Sequence, residues 1–422
     1  MTDLRHLSLG PLQDGARVII LGGGPAGVAC GLRLRRRAEA LGRRLTVTII
    51  EGKDFTSESH YNQCIGVLSP PLPALLEEDL GIDFPYHLTR GEIREYVIHA
   101  SRHQLRLPDE ASPSIALRRV QFDSYMMEQA RQRCVAIVPA QAMDLELHAQ
   151  AVLVYTDSQP VEGDVVVGAF GLDEGTATLF ARHTSYRQPE ALSSVVTKYH
   201  PGDHAMAAFG PRIHAFLPAE APIEFAAVTP KGNHLAINIA GRDVDAVRMR
   251  AFLKEGTVRA VLPNLDQAGQ SDPHDLRFYK GRFPISQAKG YYGDRYVMVG
   301  DSAGLVRAFK GKGVTSAVQT GIRAADAMFD VGISRQAFEA GYHKANLDIL
   351  RDLPYGHAMR LAVIVMARTG MMDAVIRAAD QEPRLRRALL GAVSGHESYR
   401  QVWSDGLAPR SLAAVVRRLI IR

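Results

Sequence analysis

The sequence predicts an α/β fold in which a Rossmann-like nucleotide-binding domain is combined with an antiparallel β-sheet domain and a C-terminal helical segment. Three patterns indicate this: a strand, glycine turn, helix and second strand near the N-terminus, paired β-type runs in the middle of the chain, and helical character at its end. We expect a discontinuous nucleotide-binding domain at 1–70, 100–175 and 288–334, a sheet domain at 71–99 and 176–287, and a helical region at 335–422.

The composition is that of an ordinary globular protein. The chain has 422 residues, 46% of them hydrophobic, which is enough for two or three domains with their own cores. A net charge of +5, without a basic stripe interleaved with aromatic residues, gives no reason to expect nucleic acid as a partner. The N-terminus lacks an apolar segment of signal-peptide length and no apolar run is as long as a membrane span, so the expected location is the cytoplasm.

The three cysteines, Cys30, Cys64 and Cys134, lie far apart in the sequence. No CxxC pair is present, and zinc or iron–sulfur sites held by thiolates usually depend on such a pair. An odd and sparse set of cysteines is also typical of a reducing compartment. We therefore expect no metal site.

The N-terminal segment has the complete order of a dinucleotide-binding fingerprint. Residues 16–21 form a run, apolar except for Arg17, that is typical of a buried strand, and the sequence GGGPAG follows at 22–27. A helical stretch then leads to a second predicted strand at 45–50, which ends on Glu51. This order predicts a dinucleotide site rather than a glycine-rich turn without a ligand.

Each small residue of the turn has a separate physical role. Gly22 allows the tight turn, and Gly24 has no side chain to keep a pyrophosphate away from the backbone. Pro25 and Ala26 open the helix, whose free N–H groups and positive dipole end favour phosphate. Gly27 lets the helix pack closely on the strand.

Glu51 distinguishes between dinucleotides. Its carboxylate would accept hydrogen bonds from the ribose hydroxyls of an adenosine, and it would repel a 2′-phosphate, which disfavours NADP at this site. The fingerprint itself does not distinguish FAD from NAD, so that distinction has to come from another part of the chain.

A second motif far downstream favours the flavin dinucleotide. A predicted buried strand at 296–299 runs into the sequence GDSAG, where Asp301 can accept hydrogen bonds from the ribityl hydroxyls of a flavin. The turn at 311–313, followed by a predicted helix at 315–329, can bring backbone N–H groups to the carbonyl edge of the isoalloxazine. Lys312 in this turn is either a solvated loop lysine or a cation that stabilises the reduced flavin.

Together these motifs resemble the p-hydroxybenzoate-hydroxylase-like class of flavoproteins. The resemblance spans residues 16–330 and includes Arg119, which precedes the pair Phe122-Asp123 in the sequence RRVQFD. In that class the first motif binds ADP, the arginine contacts the cofactor and the Gly-Asp motif holds the ribityl chain. The implied cofactor is FAD, with the implied contacts Gly22, Gly24, Pro25, Ala26, Gly27, Glu51, Arg119, Asp301, Gly311, Lys312, Gly313 and Val314.

One further segment resembles the geranylgeranyl reductase family within this class. Cys64, Gly66 and the pair Ser69-Pro70 are similar to that family's cysteine–glycine motif, and Phe283-Pro284 ahead of the Gly-Asp strand is similar as well. The family reduces C=C bonds of prenyl chains with FADH2 as hydride donor. The resemblance implies that Cys64 and Gly66 line the flavin-facing end of a substrate channel. The other interpretation of Cys64 is a small buried hydrophobic residue.

Two other activities stay open at the level of sequence. A flavin monooxygenase of a small hydrophobic or aromatic substrate has the same fold, but Phe170-Gly171 replaces the Asp-Gly pair of class members that hydroxylate with NAD(P)H. A flavin electron-transfer protein is the third interpretation. No second glycine fingerprint is present, so the expected electron donor is a transiently bound reduced nicotinamide or a protein, and the expected substrate is apolar or lipid-like.

The remaining segments predict the sheet and the helical tail. Runs at 223–228 and 234–239, joined by a turn at 229–233, predict part of an antiparallel sheet that binds the substrate. One helix is expected at 357–380, either packed on the core or forming a channel wall or membrane-surface helix. The basic, amphipathic end at 411–422 predicts peripheral contact with anionic lipid.

Overall fold

The computed structural model describes residues 9–55, 64–109, 113–218, 220–263, 265, 276–307 and 313–420. The strands, in chain order, are β1 (Arg17–Leu21), β2 (Thr46–Ile50), β3 (Val67–Leu68), β4 (Thr89–Ile93), β5 (Glu95–His99), β6 (Gln104–Pro108), β7 (Ser114–Leu117), β8 (Ala136–Val138), β9 (Ala142–Leu147), β10 (Val152–Thr156), β11 (Val161–Gly163), β12 (Val165–Gly168), β13 (Ala191–Tyr199), β14 (Arg212–Phe216), β15 (Ile223–Lys231), β16 (His234–Gly241), β17 (Phe278–Pro284), β18 (Tyr292–Gly293) and β19 (Tyr296–Met298).

The helices, in the same order, are α1 (Pro25–Ala40), α2 (Leu72–Ala74), α3 (Arg119–Gln132), α4 (Glu174–His183), α5 (Asp203–Phe209), α6 (Ala246–Leu253), α7 (Gly256–Arg259), α8 (Gly313–Asp330), α9 (Arg335–Phe338), α10 (Leu347–Leu350), α11 (Leu353–Arg368), α12 (Met371–Ala379), α13 (Pro383–Ser394), α14 (Tyr399–Gly406) and α15 (Pro409–Ile420). Short 3₁₀ or π turns lie at Leu75–Leu80, Tyr86–Leu88, Gly300–Ala303 and Glu339–His343.

The N-terminal fingerprint forms the centre of a sheet with the strand order β18-β19-β12-β1-β2-β8, parallel except at its β18 edge. Strand β1 pairs with β12 on one side and β2 on the other. Its residues Val18, Ile19 and Ile20 are almost fully buried, because both faces of a parallel sheet are covered. The strands predicted at 16–21 and 45–50, and the helix between them, are confirmed.

Helices α1 and α8 cross at very close range. A Cβ atom at Gly321 of α8 would lie 2.3 Å from the carbonyl oxygen of Ala26 in α1. A Cβ atom at Gly300, ahead of α8, would lie 3.0 Å from the Cβ atom of Ala26. Only a residue without a side chain permits this approach at position 321. The crossing therefore brings the segment that contains Asp301 to the N-terminus of α1.

The second sheet has the strand order β17-β13-β16-β15-β14-β5-β6 and is antiparallel except where β14 pairs with β5. It extends to Pro108, past the expected boundary at residue 99. The turn predicted at 229–233 is too long, because only Gly232 and Asn233 form it. Gly232 has a φ of 65°, which suits a two-residue turn, so Lys231 still pairs with His234.

The tail contains several helices instead of one long helix at 357–380, so that prediction is wrong. Helix α11 ends at Arg368, and α12 begins at Met371. Gly370 between them has a φ of 74°, a left-handed conformation that ends a helix. Among the described residues, no helix is both long and apolar enough to pass through a bilayer.

A buried ion pair fixes the tail to the second sheet. The Arg360 guanidinium of α11 donates from Nε and Nη2 to the two carboxylate oxygens of Glu224 in β15, each at 2.5 Å. The two side chains are 9% and 6% exposed. Removing one partner of such a pair costs about 3–5 kcal/mol, because the other charge stays buried and uncompensated. The pair therefore sets where α11 lies on the sheet.

Candidate functional site

A cavity of about 910 Å³ extends from the glycine turn to the second sheet and the C-terminal helices. Its wall includes the residues that follow β1 and β2, the segment around Cys64, one face of the second sheet, and side chains of the tail. A cavity of this size, with a few polar groups in a mostly apolar wall, is typical of a site for a cofactor and a small molecule.

The glycine turn leaves one part of this cavity open. Gly22 has a φ of 112°, and a Cβ atom there would lie 2.4 Å from the Ala169 carbonyl oxygen. A Cβ atom at Gly27 would lie 2.1 Å from the Gly22 carbonyl oxygen. By contrast, a Cβ atom at Gly24 would have no atom of the described chain within 4 Å, and Gly24 lines the cavity. Gly22 and Gly27 are thus needed for the turn to fold, whereas Gly24 keeps space free.

The start of α1 faces the same space. Pro25 and Ala26 line the cavity, and Gly24 at the N-cap position has no side chain to bond the free N–H groups of the first turn. Glu51 also lines the cavity and accepts hydrogen bonds from the backbone N–H groups of Gly23 and Lys53, both at 2.8 Å. This end of the cavity therefore offers N–H donors and a helix dipole to an anion, next to a fixed carboxylate.

Arg119 and Asp301 lie on the cavity wall although distant segments supply them. The Nε atom of Arg119 donates to Oδ1 of Asp123 at 2.7 Å, one turn along α3. Burial alone would lower the pKa of Arg119, but Asp123, Cys64 and Asp301 raise it above its ordinary value. Burial raises the pKa of Asp301, and the positive charge of Arg119 opposes that shift. Asp301 is thus a partly buried acceptor near a fixed cation.

The segment Cys64–Gly66 is held at the cavity wall by backbone geometry. Gly66 has a φ of 74°, and a Cβ atom there would lie 2.3 Å from the carbonyl oxygen of Leu117. The Gly66 N–H donates to Sγ of Cys64 at 3.3 Å, and the Gly66 carbonyl accepts from the Leu117 N–H at 2.9 Å. No other residue type satisfies both the φ angle and the close approach at position 66.

Lys231 is a residue of this region that the sequence does not reveal. It ends β15, is 6% exposed, and donates from Nζ to the carbonyl oxygen of Ile65 at 2.6 Å. Burial lowers the pKa of Lys231 to about 8; Cys64 opposes this, while Lys198 and Arg118 add to it. In the sequence Lys231 is only part of a turn signal, because its contact joins segments that are far apart in the chain.

Of the four remaining predicted cofactor contacts, two lie within the described residues and two do not. Gly311 and Lys312 lie outside the described residues. Gly313 begins α8, and its Cβ position is 3.8 Å from Oδ1 of Asp301. Val314 lines the cavity. The first residues of α8 therefore lie next to Asp301, on the same side of the cavity as the start of α1.

The second sheet forms another wall of the cavity. A row of aligned residues crosses β5, β14, β15, β16 and β13, and each member lines the cavity: Ile98, Ala215, Ala227, Asn238 and Val196. The tail contributes Val363 of α11, Met372 of α12 and Leu389 of α13 to the lining. These helices pack on the core, as one alternative for the tail expects, and they also form part of the cavity wall.

Lys231 gives a test of the electrostatics by pH. Its pKa is lowered in the folded chain, so between about pH 8 and 10.5 the unfolded chain binds the extra proton. Wild-type stability, measured by urea unfolding, should rise over this range by up to about 3 kcal/mol relative to Lys231→Met. The control is Lys254→Met, which removes an exposed lysine and should show the same rise in stability with pH as the wild type. The same pH dependence in wild type and Lys231→Met would contradict the assignment.

Comparison with solved structures identifies proteins that share this fold. No protein-family model matches the chain, and no curated protein matches it by sequence. A geranylgeranyl bacteriochlorophyll reductase-like protein of Thermoplasma acidophilum gives a TM-score of 0.73 at 15% identity, over 97% of this chain and 100% of that one. A p-nitrophenol 4-monooxygenase of Pseudomonas putida gives 0.64 at 15% identity, over 90% and 97%.

A variant of the halogenase PltM in complex with FAD gives a TM-score of 0.62 at 14% identity, over 93% of this chain and 85% of that one. These similarities cover at least 90% of this chain at no more than 15% identity, so they show a shared fold. The chain has the fold of the p-hydroxybenzoate-hydroxylase-like flavoproteins, which is the fold class that its sequence predicts.

Proposed function

We propose that the chain is an FAD-dependent oxidoreductase and that FAD binds between the glycine turn and Asp301. The observation that carries the proposal is the open space at Gly24, in front of a helix N-terminus whose N–H groups have no side-chain cap. Asp301 and Arg119 supply a partly buried acceptor and a cation on the same cavity wall. The halogenase of the same fold is in complex with FAD, which also supports the proposal.

Each residue then has a separate task. The first turn of α1 holds the pyrophosphate, Glu51 accepts from the ribose hydroxyls, and Asp301 accepts from the ribityl chain. Arg119, kept in place by Asp123, contacts the cofactor and balances the charge of Asp301. Bound FAD supplies two-electron chemistry, including hydride transfer, which no side chain can supply. The chain itself binds and orients the reactants and excludes water.

We assign the reaction to the reduction of a C=C bond in an apolar, prenyl-like or lipid-like substrate. The cavity continues from Cys64 and Gly66 along the mostly apolar row of the second sheet to the tail, which suits an elongated apolar molecule. The cysteine–glycine segment resembles the geranylgeranyl reductases, and a reductase-like protein shares the fold. In this proposal Cys64 and Gly66 form the wall that faces the flavin.

A flavin monooxygenase is the second candidate, and the fold of the p-nitrophenol 4-monooxygenase favours it. The side chain of Phe170 favours the reductase over the monooxygenase. It lines the cavity where class members that hydroxylate with a nicotinamide carry aspartate, and its ring packs on that of Phe180 at 5.6 Å. An apolar ring there offers no hydrogen bond to a nicotinamide, so the electron donor is a transient nicotinamide or a protein.

Gly24→Asp separates cofactor binding from folding. The new carboxylate should cap α1 and leave the FAD-free protein as stable or up to about 1 kcal/mol more stable, while its charge lowers FAD affinity at least about tenfold. Gly27→Ala, in contrast, should lower both the FAD affinity and the stability, because its Cβ atom would meet the Gly22 carbonyl oxygen. Calorimetric titration with FAD and thermal unfolding measure both effects. Unchanged FAD affinity of Gly24→Asp would exclude this binding mode.

The reaction can be tested with a prenyl alcohol. FAD-loaded protein, reduced with dithionite without oxygen, should convert geranylgeraniol into products heavier by two hydrogens for each double bond reduced. Mass spectrometry measures the product, and free FADH2 without protein is the control. If the protein instead consumes oxygen with NADH and hydroxylates a phenol, the monooxygenase is correct and the reductase is wrong.

We also propose that α15 contacts anionic lipid, which would bring the cavity close to an apolar substrate. Its residues Leu412, Val416 and Leu419 are exposed large hydrophobic side chains at helical spacing, and Arg410 and Arg417 are exposed on the same helix. Exposed apolar residues beside arginines on one helix suit the interface of a membrane.

Vesicle sedimentation tests this contact. The protein should sediment with phosphatidylglycerol vesicles and much less with phosphatidylcholine vesicles, since the arginines need an anionic surface. Val416→Glu should reduce the bound fraction several-fold, because it puts a charge on the apolar face. Equal sedimentation of Val416→Glu and wild type would contradict the contact.

A further inference from the structure

Two buried polar groups on the cavity wall lack hydrogen-bond partners in the described part of the chain. They are Oγ1 of Thr229 in β15 and Oδ1 of Asn238 in β16. Thr229 is 1% exposed and Asn238 is 5% exposed, so neither is solvated at the protein surface. Buried polar groups are almost always hydrogen-bonded in folded proteins, and an exception needs an explanation.

The register of the second sheet puts both side chains on the cavity face. Asn238 pairs with Ala227, which lies two residues before Thr229, and alternate residues of a strand share a face. The two polar side chains are therefore diagonal neighbours across β15 and β16. Their neighbours in the row, Ala227 and Val196, are apolar and offer no hydrogen bond.

We propose that the substrate carries an uncharged hydroxyl group that hydrogen-bonds to Thr229 and Asn238. A hydroxyl suits this pair because it donates one hydrogen bond and accepts others. It would donate to Oδ1 of Asn238 and accept from the hydroxyl of Thr229. The inference rests on the proposed function, in which this cavity binds the substrate, and it narrows the substrate from any apolar chain to one with an alcohol group.

The surroundings of the pair favour a neutral ligand group. The charged side chain nearest along the same face of β15 is Lys231, two residues beyond Thr229, and its ammonium group is bonded to the carbonyl oxygen of Ile65. No charged residue of β15 or β16 lines the cavity, so a carboxylate or phosphate beside Thr229 would have no counter-charge on these two strands, which is costly. A hydroxyl needs none.

The same face also orients the ligand. Along β15 it runs from Phe225 through Ala227 to Thr229 and Lys231, that is, from an aromatic ring to the polar end at the Ile65 carbonyl. The hydroxyl therefore points to the end of the cavity formed by Cys64–Gly66, and the apolar part of the ligand lies along Phe225 and the tail. This orientation places the alcohol end closest to the proposed flavin site.

The first test measures stability and does not depend on FAD. Thr229→Val and Asn238→Leu should each raise the thermal unfolding midpoint, since each replaces a buried unpaired polar group with an apolar one. The matched control is Thr197→Val on β13, where the hydroxyl is buried but donates to the Arg277 carbonyl at 2.8 Å. That variant should lower the midpoint. If Thr229→Val and Asn238→Leu both lower it, the groups are paired and the proposal is wrong.

The second test measures recognition of the hydroxyl. Wild-type protein loaded with FAD should bind farnesol about tenfold more tightly than farnesyl methyl ether, whose oxygen cannot donate. Asn238→Leu should bind farnesol about tenfold more weakly and lose the preference, whereas Thr229→Val should bind both probes more weakly and keep the preference, since only Asn238 accepts the hydroxyl proton. Calorimetric titration gives the affinities. Equal affinity of the wild type for the two probes, including no measurable binding of either, overturns the proposal.

The two proposals fail in different ways. If the proposed function is wrong, the protein will not take up FAD, and its visible absorbance after incubation with FAD shows this before any probe is added. If only the proposed hydroxyl site is wrong, the protein will still take up FAD but will show no preference for the alcohol. Repeating the titration without FAD completes the separation, because the hydroxyl contacts belong to the sheet alone.

Discussion

The close crossing of α1 and α8 is the constraint on which the rest of the site depends. At Gly321 the two backbones approach so closely that a single methyl group would stand 2.3 Å from the Ala26 carbonyl oxygen. This contact joins the beginning of the chain to a segment nearly three hundred residues later. It puts Asp301 next to the turn that starts α1. Without it, the two halves of the proposed cofactor site would be separate surface features.

The cavity forms where the first and second sheets meet, and each sheet contributes a different part of its wall. The first sheet is covered on both sides, as its continuous apolar strands require, and contributes mainly its strand ends and the turns that follow them. The second sheet contributes side chains of one face, which along β15 change from aromatic at Phe225 to polar at Thr229. A polar cofactor and an apolar substrate can therefore share one cavity, since each meets a different kind of wall.

The local parts of this arrangement could be predicted from the sequence. The turn at 22–27, the strands beside it and the downstream Gly-Asp motif are short patterns whose chemistry requires a particular residue at each position. The contact of Lys231 with Ile65 could not be predicted because it joins segments that are far apart in the chain. The adjacency of Thr229 and Asn238 could not be predicted because it depends on strand register. The break at Gly370 was missed because the surrounding apolar pattern continues through it.

The ion pair of Arg360 and Glu224 has a consequence for how this fold can diversify. Helices of the tail line the cavity, and α11 is anchored by a charge whose partner belongs to the second sheet. A chimera that exchanged the tail alone would leave a carboxylate stranded in an apolar interior unless the incoming helix also brought an arginine at the same place. New ligand specificity is therefore reached more easily by changing individual lining residues than by recombining whole segments, and the two parts are expected to be inherited together.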